Sequence, residues 1–301
     1  MHRVILFWLL LSVCLTVRAE VVTSPSEVYA QLLLIEKETE LVKQHFKSSK
    51  QPTAITEIVA DIQPRHVWQK GYMLQMKLVA FRRKHQLGAI APVGIEPRKN
   101  IDFRNVWSQT QRCLTEIRII RNLLGIKGEA GAVPHVEGKK TLDVFNKLAQ
   151  LEAEWDALTG AGFDASHTFA QALRLNEDVD MILRQLNISD TAIPPAKNPA
   201  STPTDSLAQA FLTLEQVQRL QKLAGLETVD LSAFRKTEKV TSAEVFNLVC
   251  LILPEVQQVK YKIGLKHAIT PAATYQEGKK PADARQLLGY ITNKLTLIDH
   301  L

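Results

Sequence analysis

Cysteine is scarce in this chain: three in 301 residues, at positions 14, 113 and 250. So few exclude the disulfide framework that staples small secreted domains. No CxxC pair, CxxCH or HExxH occurs, which leaves no zinc-ligand spacing and no covalent haem attachment. A GxSxG elbow is also missing. The glycines of "GIKGEAGAV" lead into no GK[ST], so they mark a connection and not a phosphate loop. The net charge is +6, but basic residues are scattered, the densest group being Arg82-Arg83-Lys84. Without a basic stripe and interleaved aromatics, nucleic-acid binding is not supported. Beyond the N-terminus the most apolar run, Leu248 to Leu253, is far too short to span a bilayer. No cofactor, no metal and no transmembrane segment in the mature chain are expected.

What is present begins with an export signal. Met1-His2-Arg3 carries one cation, an apolar run follows from Val4 to Val13, and Val17-Arg18-Ala19 offers a small residue for cleavage. Residues 1–19 read as a signal peptide, with the mature chain starting at Glu20. Lipidation at Cys14 is disfavoured because bulky Val13 precedes it. The expected location is outside the cytoplasm, the bacterial periplasm first and the extracellular space second. Cys113 and Cys250 fall in strongly apolar segments and read as buried thiols more readily than as a bridge.

A cassette resembling "SPSEVYAQ" (24–31) recurs along the rest of the chain. Aligned on the residue after its first apolar one, the anchors are Tyr29, Trp68, Trp107 and Phe145, then Phe169, Leu207, Phe246 and Arg285. Successive spacings are 39, 39, 38, 24, 38, 39 and 39, so one fixed period is interrupted once, in the middle. Equivalent anchors in the two halves lie 139 or 140 residues apart, and "EGKK" at 137–140 returns at 277–280. Such self-similarity predicts an internal duplication.

Each cassette carries helix-start chemistry. Ser24, Asp102, Asp164, Thr202 and Thr241 are N-cap candidates; Pro25, Pro64, Pro203 and Pro281 suit the first helical position. Glu27, Asp143, Asp205, Glu244 and Asp283 can reach back to the N-cap amide. Thirteen residues after every anchor stands an apolar residue: Val42, Phe81, Ile120 and Leu158, then Ile182, Leu220, Val259 and Ile298. With apolar residues also dominant three, six and ten places on, this spacing lays one stripe along a helix. Thr39 breaks the stripe at the tenth place. The predicted fold is all-α: eight long amphipathic helices in two tandem homologous four-helix units, 20–161 and 162–301. The connections, read as about 13 to 17 residues, are expected to pack across helix ends, with a parallel crossover left open.

Function is less legible. The lysines of the two EGKK segments could hold an anion ahead of a helix N-terminus, although solvated turn lysines account for them more simply. Pro254 falls mid-helix, where it releases the Cys250 carbonyl and should bend the chain. That bend would open the second unit into a binding cleft lined by Phe246, Cys250, Leu253 and Pro254. The expected role is a non-catalytic binding or protein-interaction protein of the cell envelope. A sensor-like bundle for a small ligand is the alternative, and an enzyme of unrecognised chemistry the third reading. An unknown protein or small-molecule ligand is the expected partner.

Overall fold

A computed structural model describes residues 23–47, 52, 60–88, 95–160, 162–272 and 274–301. Residues 1–19, expected to be a signal peptide, and with them Cys14, lie outside the described residues. Each cassette starts a helix: α1 Pro25–His45, α2 Pro64–Lys84, α3 Phe103–Leu123, α4 Thr141–Thr159, α5 Ala165–Gln185, α6 Pro203–Leu223, α7 Ser242–Lys262 and α8 Pro281–Thr296. Among the described residues the rest is one 3-10 turn, Ser232–Phe234, and one isolated bridge between Ile95 and Thr270.

The starts are closed by the side chains expected to close them. Ser24, Asp102, Asp164, Thr202 and Thr241 accept amide hydrogens from the first turn. Glu27, Asp205 and Glu244 accept in return from the N-cap amides at 2.6, 2.7 and 2.8 Å. Where lysine holds the N-cap, Asp143 and Asp283 still take the amides of Lys140 and Lys280 at 2.7 and 2.9 Å. In α2 the Nδ1 of His66 does the same for the Gln63 amide at 3.0 Å.

The helix ends share a device that the sequence analysis did not identify. Gln86, Gly125, Asn187, Gly225 and Gly264 follow the C-cap with φ between 55° and 95°. The next residues, Leu87, Ile126, Ile188, Leu226 and Leu265, bond back to the third-last helical carbonyl at 2.8–3.0 Å. This left-handed stop followed by an apolar residue closes the last turn and pins the outgoing chain on the core.

All eight residues of the thirteenth-place column are buried. So are the residues just before the anchors, among them Val28, Val67, Val106, Val144 and Val245, whereas the anchor Trp107 is 42% exposed. The stripe thus runs one residue ahead of the aromatic landmark. Thr39 is fully buried too; its hydroxyl donates to the Ile35 carbonyl at 2.9 Å and accepts the Trp155 indole N–H at 3.2 Å. A polar residue is tolerated there because it satisfies the buried indole.

Helix direction follows from which residues bond. Between α1 and α4 the contacts are Ser26–Lys139, Glu36–Lys147 and Thr39–Trp155. Both numbers rise together, so the helices run parallel. The same holds for α1 with α3 (Gln31–Gln111, Glu38–Arg118) and for α2 with α4 (Lys70–Glu152, Lys77–Asp156, Lys84–Thr159). Helices α5 to α8 repeat the arrangement, as in Ser206–Pro281, Thr213–Leu288 and Arg219–Ile298 between α6 and α8. In each quartet the first two helices both touch the third and the fourth.

The parallel direction corrects the expectation for the connections, which have 17 or 18 residues except between α4 and α5. A 21-residue helix is about 32 Å long, and each connection must return that distance before the next parallel helix starts. The period of 39 is therefore one helix plus one returning connection. Residues 160–164 reach at most ~18 Å, too little for a return, so α5 starts at the end where α4 stops. Across the seam, Arg65 meets Glu255 while Lys70 meets Asn247, and Tyr72 meets Arg174 while Met76 meets Gln171. Here one number falls as the other rises. The quartets lie side by side and point in opposite directions, and one core of buried side chains runs through both.

Several contacts recur at an offset of 139 or 140. Lys139 donates its amide to Ser26 at 3.0 Å and sets its ammonium 4.4 Å over the Tyr29 ring; Lys279 does so with Ser166 at 3.1 Å and Phe169 at 4.4 Å. The EGKK lysines thus dock a connection on a helix start. Arg121 binds Glu38 and the Gly128 carbonyl, and Lys260 binds Asp178 and the Ala268 carbonyl in the equivalent places.

Candidate functional site

The seam between the quartets encloses a cavity of about 240 Å³. Helix α2 forms one wall with Trp68 and Tyr72, whose rings stack at 6.3 Å and 11°. Helix α7 forms the opposite wall with Leu253, Pro254 and Gln257, and α5 contributes Arg174. The connections after α2 and α7, joined by the Ile95–Thr270 bridge, supply Ile95 and Ile269.

Arg174 is the unusual member. Its side chain is 2% exposed, yet Nε, Nη1 and Nη2 all lack a hydrogen-bond partner. Its guanidinium carbon stands 5.2 Å from the centre of the Tyr72 ring, a contact that engages the cation's charge but no N–H acceptor. The two buried carboxylates on the neighbouring turns are committed elsewhere. Asp178 accepts from Lys260, Thr270 and Gln257, each at 2.6 Å. Glu255 accepts from Arg65 at 2.5 Å, His66 at 2.8 Å and Gln221 at 2.6 Å. A buried charge normally has an ion partner and hydrogen bonds; this one has neither among the described residues. Gln257 is half-satisfied in the same wall: its Nε2 donates to Asp178 and Thr270, and its Oε1 accepts nothing.

The Glu255 cluster ties the seam together. Because His66 Nδ1 accepts the Gln63 amide, its Nε2 carries the hydrogen that Glu255 accepts. Burial opposes the Glu255 charge, but the His66 hydrogen bond and the Arg65 guanidinium outweigh it and hold the carboxyl at about 2. Arg65 is thereby neutralised, which leaves Arg174 as the uncompensated buried cation of the cavity wall.

Of the residues singled out from sequence, Leu253 and Pro254 line this cavity. Phe246 and Cys250 do not; they are fully buried in a small cluster with Met73 and Phe163, where the Phe163 and Phe246 rings lie 3.9 Å apart. The cavity lies between the quartets and not inside the second one. Helix α7 is assigned as one helix through Pro254. Arg174, Tyr72 and Gln257 escaped the sequence analysis. One comparison would have found Arg174: the residue 140 places earlier is Leu34, so the halves differ there by a full charge.

Nucleophilic chemistry has no support from the cysteines. Cys113 and Cys250 are buried free thiols, and burial pushes both up to about 12. Residues 20–301 are expected to react with a thiol reagent negligibly when folded and at two thiols per chain in denaturant. A reading of zero in denaturant would mean that the two are bridged. Among the described residues no cluster of three or more His, Cys, Asp or Glu could hold a metal, and no helix is long and apolar enough to cross a membrane. No protein-family model, curated protein or solved structure matches the chain, so its likeness to other proteins assigns no activity to this cavity.

Proposed function

We propose that the protein is an exported, non-catalytic ligand-binding protein of the cell envelope that takes a small molecule at the seam of a duplicated four-helix unit. The observation that carries the binding role is the Arg174 guanidinium, buried in a cavity wall without a single hydrogen-bond acceptor. A buried charge without a partner is costly to keep, and one in a cavity wall gains most from a ligand that brings an acceptor. The cavity offers amides, the guanidinium groups of Arg65, Arg98, Arg112 and Arg174, and stacked aromatics, groups that bind and orient. Its carboxylate, Glu96, is exposed.

Export is supported by residues 1–19, and descent of 20–161 and 162–301 from one unit by the recurring period and the contacts repeated at the same offset. A protein-interaction role has weaker support. The large exposed apolar residues are spread over α3 (Trp107, Ile119, Leu123), α6 (Leu212, Leu223) and separate connections (Ile193, Ile269, Tyr275).

The test is direct. Mature protein purified without added ligand is denatured, and the small molecules released are identified by mass spectrometry. The same protein, refolded and dialysed, is melted with the compound found and with a panel of small acids, amides and alcohols. At least one compound is expected to raise the melting temperature in a saturable way; a flat panel with nothing released would refute the binding role.

A further inference from the structure

On the reading that the seam cavity is a ligand site, we infer that its ligand is a small organic monocarboxylate carrying a hydrogen-bond donor near the carboxylate. The first argument is charge. Of the cations buried at the seam, Arg65 is paired with Glu255 and Lys260 with Asp178, which leaves Arg174 unpaired; Arg98 and Arg112 also line the cavity but are exposed to solvent, which screens their charge. One buried cation matches a monoanion; a phosphate dianion placed there would itself be left half-neutralised.

Shape is the second. A guanidinium offers five N–H groups in a planar fork that fits a carboxylate with two parallel bonds. The Tyr72 contact accepts none of them. A third argument comes from Gln257. With its Nε2 held by Asp178 and Thr270, the amide is fixed in orientation and its Oε1 remains an unused acceptor. A ligand that satisfies both residues while remaining a monoanion brings an acceptor pair and a neutral donor together, as an α-hydroxy acid does. The rest of the molecule meets the Trp68–Tyr72 stack, Leu253 and Ile269. A cavity of about 150 Å³ holds a benzene-sized molecule, so about 240 Å³ accommodates a ligand of roughly 6 to 12 non-hydrogen atoms.

The approach to the cavity suits an anion as well. It shares Glu96 and Arg98 with an open surface groove of about 680 Å³ that also carries Lys99 and Lys266, while Asp102 and Arg104 pair with each other at 2.9 Å. A cationic mouth raises the local concentration of anions and speeds their capture.

The experiment uses the mature chain and four acids (lactate, 2-hydroxybutyrate, mandelate, 3-phenyllactate), each beside its neutral amide, with inorganic phosphate and sulfate as separate arms. Binding is read by calorimetry and by the shift in melting temperature. At least one acid is expected to bind at least ~10-fold tighter than its amide. Arg174→Leu should weaken that acid by at least ~30-fold while the variant keeps its helical spectrum and melts cooperatively. Gln257→Glu, which places a repelling carboxylate beside the anion, should weaken it as well. Amides that bind as well as acids, or phosphate or sulfate bound in preference, would overturn the monocarboxylate while leaving a binding site in place. No shift from any compound, with nothing released on denaturation, would overturn the site itself.

Discussion

Arg174→Leu is expected to make the ligand-free protein more stable while removing its ligand binding. An unpaired guanidinium at 2% exposure has lost its hydration and gained one aromatic contact in return. Replacing buried charges by apolar side chains commonly stabilises by about 1–4 kcal/mol. Leucine is shorter than arginine and enlarges a cavity that already exists, which costs part of that gain. The charge term wins because the enlarged space can hold water beside the half-satisfied Gln257. A net gain of about 1–3 kcal/mol raises the melting temperature by roughly 2–10 °C in a chain of this size. Arg174→Lys, which keeps a buried charge, should show no such rise. Differential scanning calorimetry on dialysed protein decides it: a fall of several degrees for the leucine variant would mean that the guanidinium is neutralised after all. A residue that lowers stability where leucine would raise it is the pattern of a site kept for function.

Glu255→Ala should be the most damaging single change at the seam. It strands the Arg65 guanidinium, the His66 N–H and the Gln221 amide around an empty acceptor position. Breaking a buried ion pair from one side costs about 3–5 kcal/mol. Arg65 keeps 14% side-chain exposure and recovers some hydration, which places the expected loss toward the lower end. Glu255→Gln should cost nearly as much, because its new NH2 group faces three donors. The pH dependence carries a sign. The folded carboxyl, at about 2, lies below its ordinary value of 4.5, so its contribution is fully present above pH 4.5 and disappears as pH falls toward 2. That interval corresponds to about 3 kcal/mol. In urea unfolding at pH 7, 4 and 3, the stability gap between wild type and Glu255→Gln should therefore narrow steadily. A gap independent of pH would show that the Glu255 charge contributes nothing to holding the seam.

The two seam clusters differ in how far local pattern could reveal them. Glu255 sits on the polar-to-apolar border of α7, immediately after Pro254, and nothing in its neighbourhood announces that Arg65 and His66, some 190 residues away, will reach it. Arg174 stands one residue before Leu175 of the buried stripe, where an arginine would ordinarily lie along the surface with its head in water. It is buried because α2 of the other quartet covers that face of α5. Local pattern alone puts a Pro254 cleft inside the second quartet. The structure sets Pro254 in the wall of a cavity that needs both quartets, and fills the neighbourhood of Phe246 and Cys250 with Met73 and Phe163.

By itself the sequence determined the number of helices, their first residues and their buried stripes, because caps, first-turn prolines and acids, and a 3-3-4-3 apolar spacing act within a few residues. Helix direction, the antiparallel seating of the quartets and the unpaired state of Arg174 were decided only by tertiary structure. A connection of 17 or 18 residues is long enough to cross a helix end or to return along a whole helix, so its length leaves direction open. Whether a charge finds a partner depends on side chains far away in the chain: Asp178 stands one turn after Arg174, yet Lys260, some 80 residues on, holds its carboxylate.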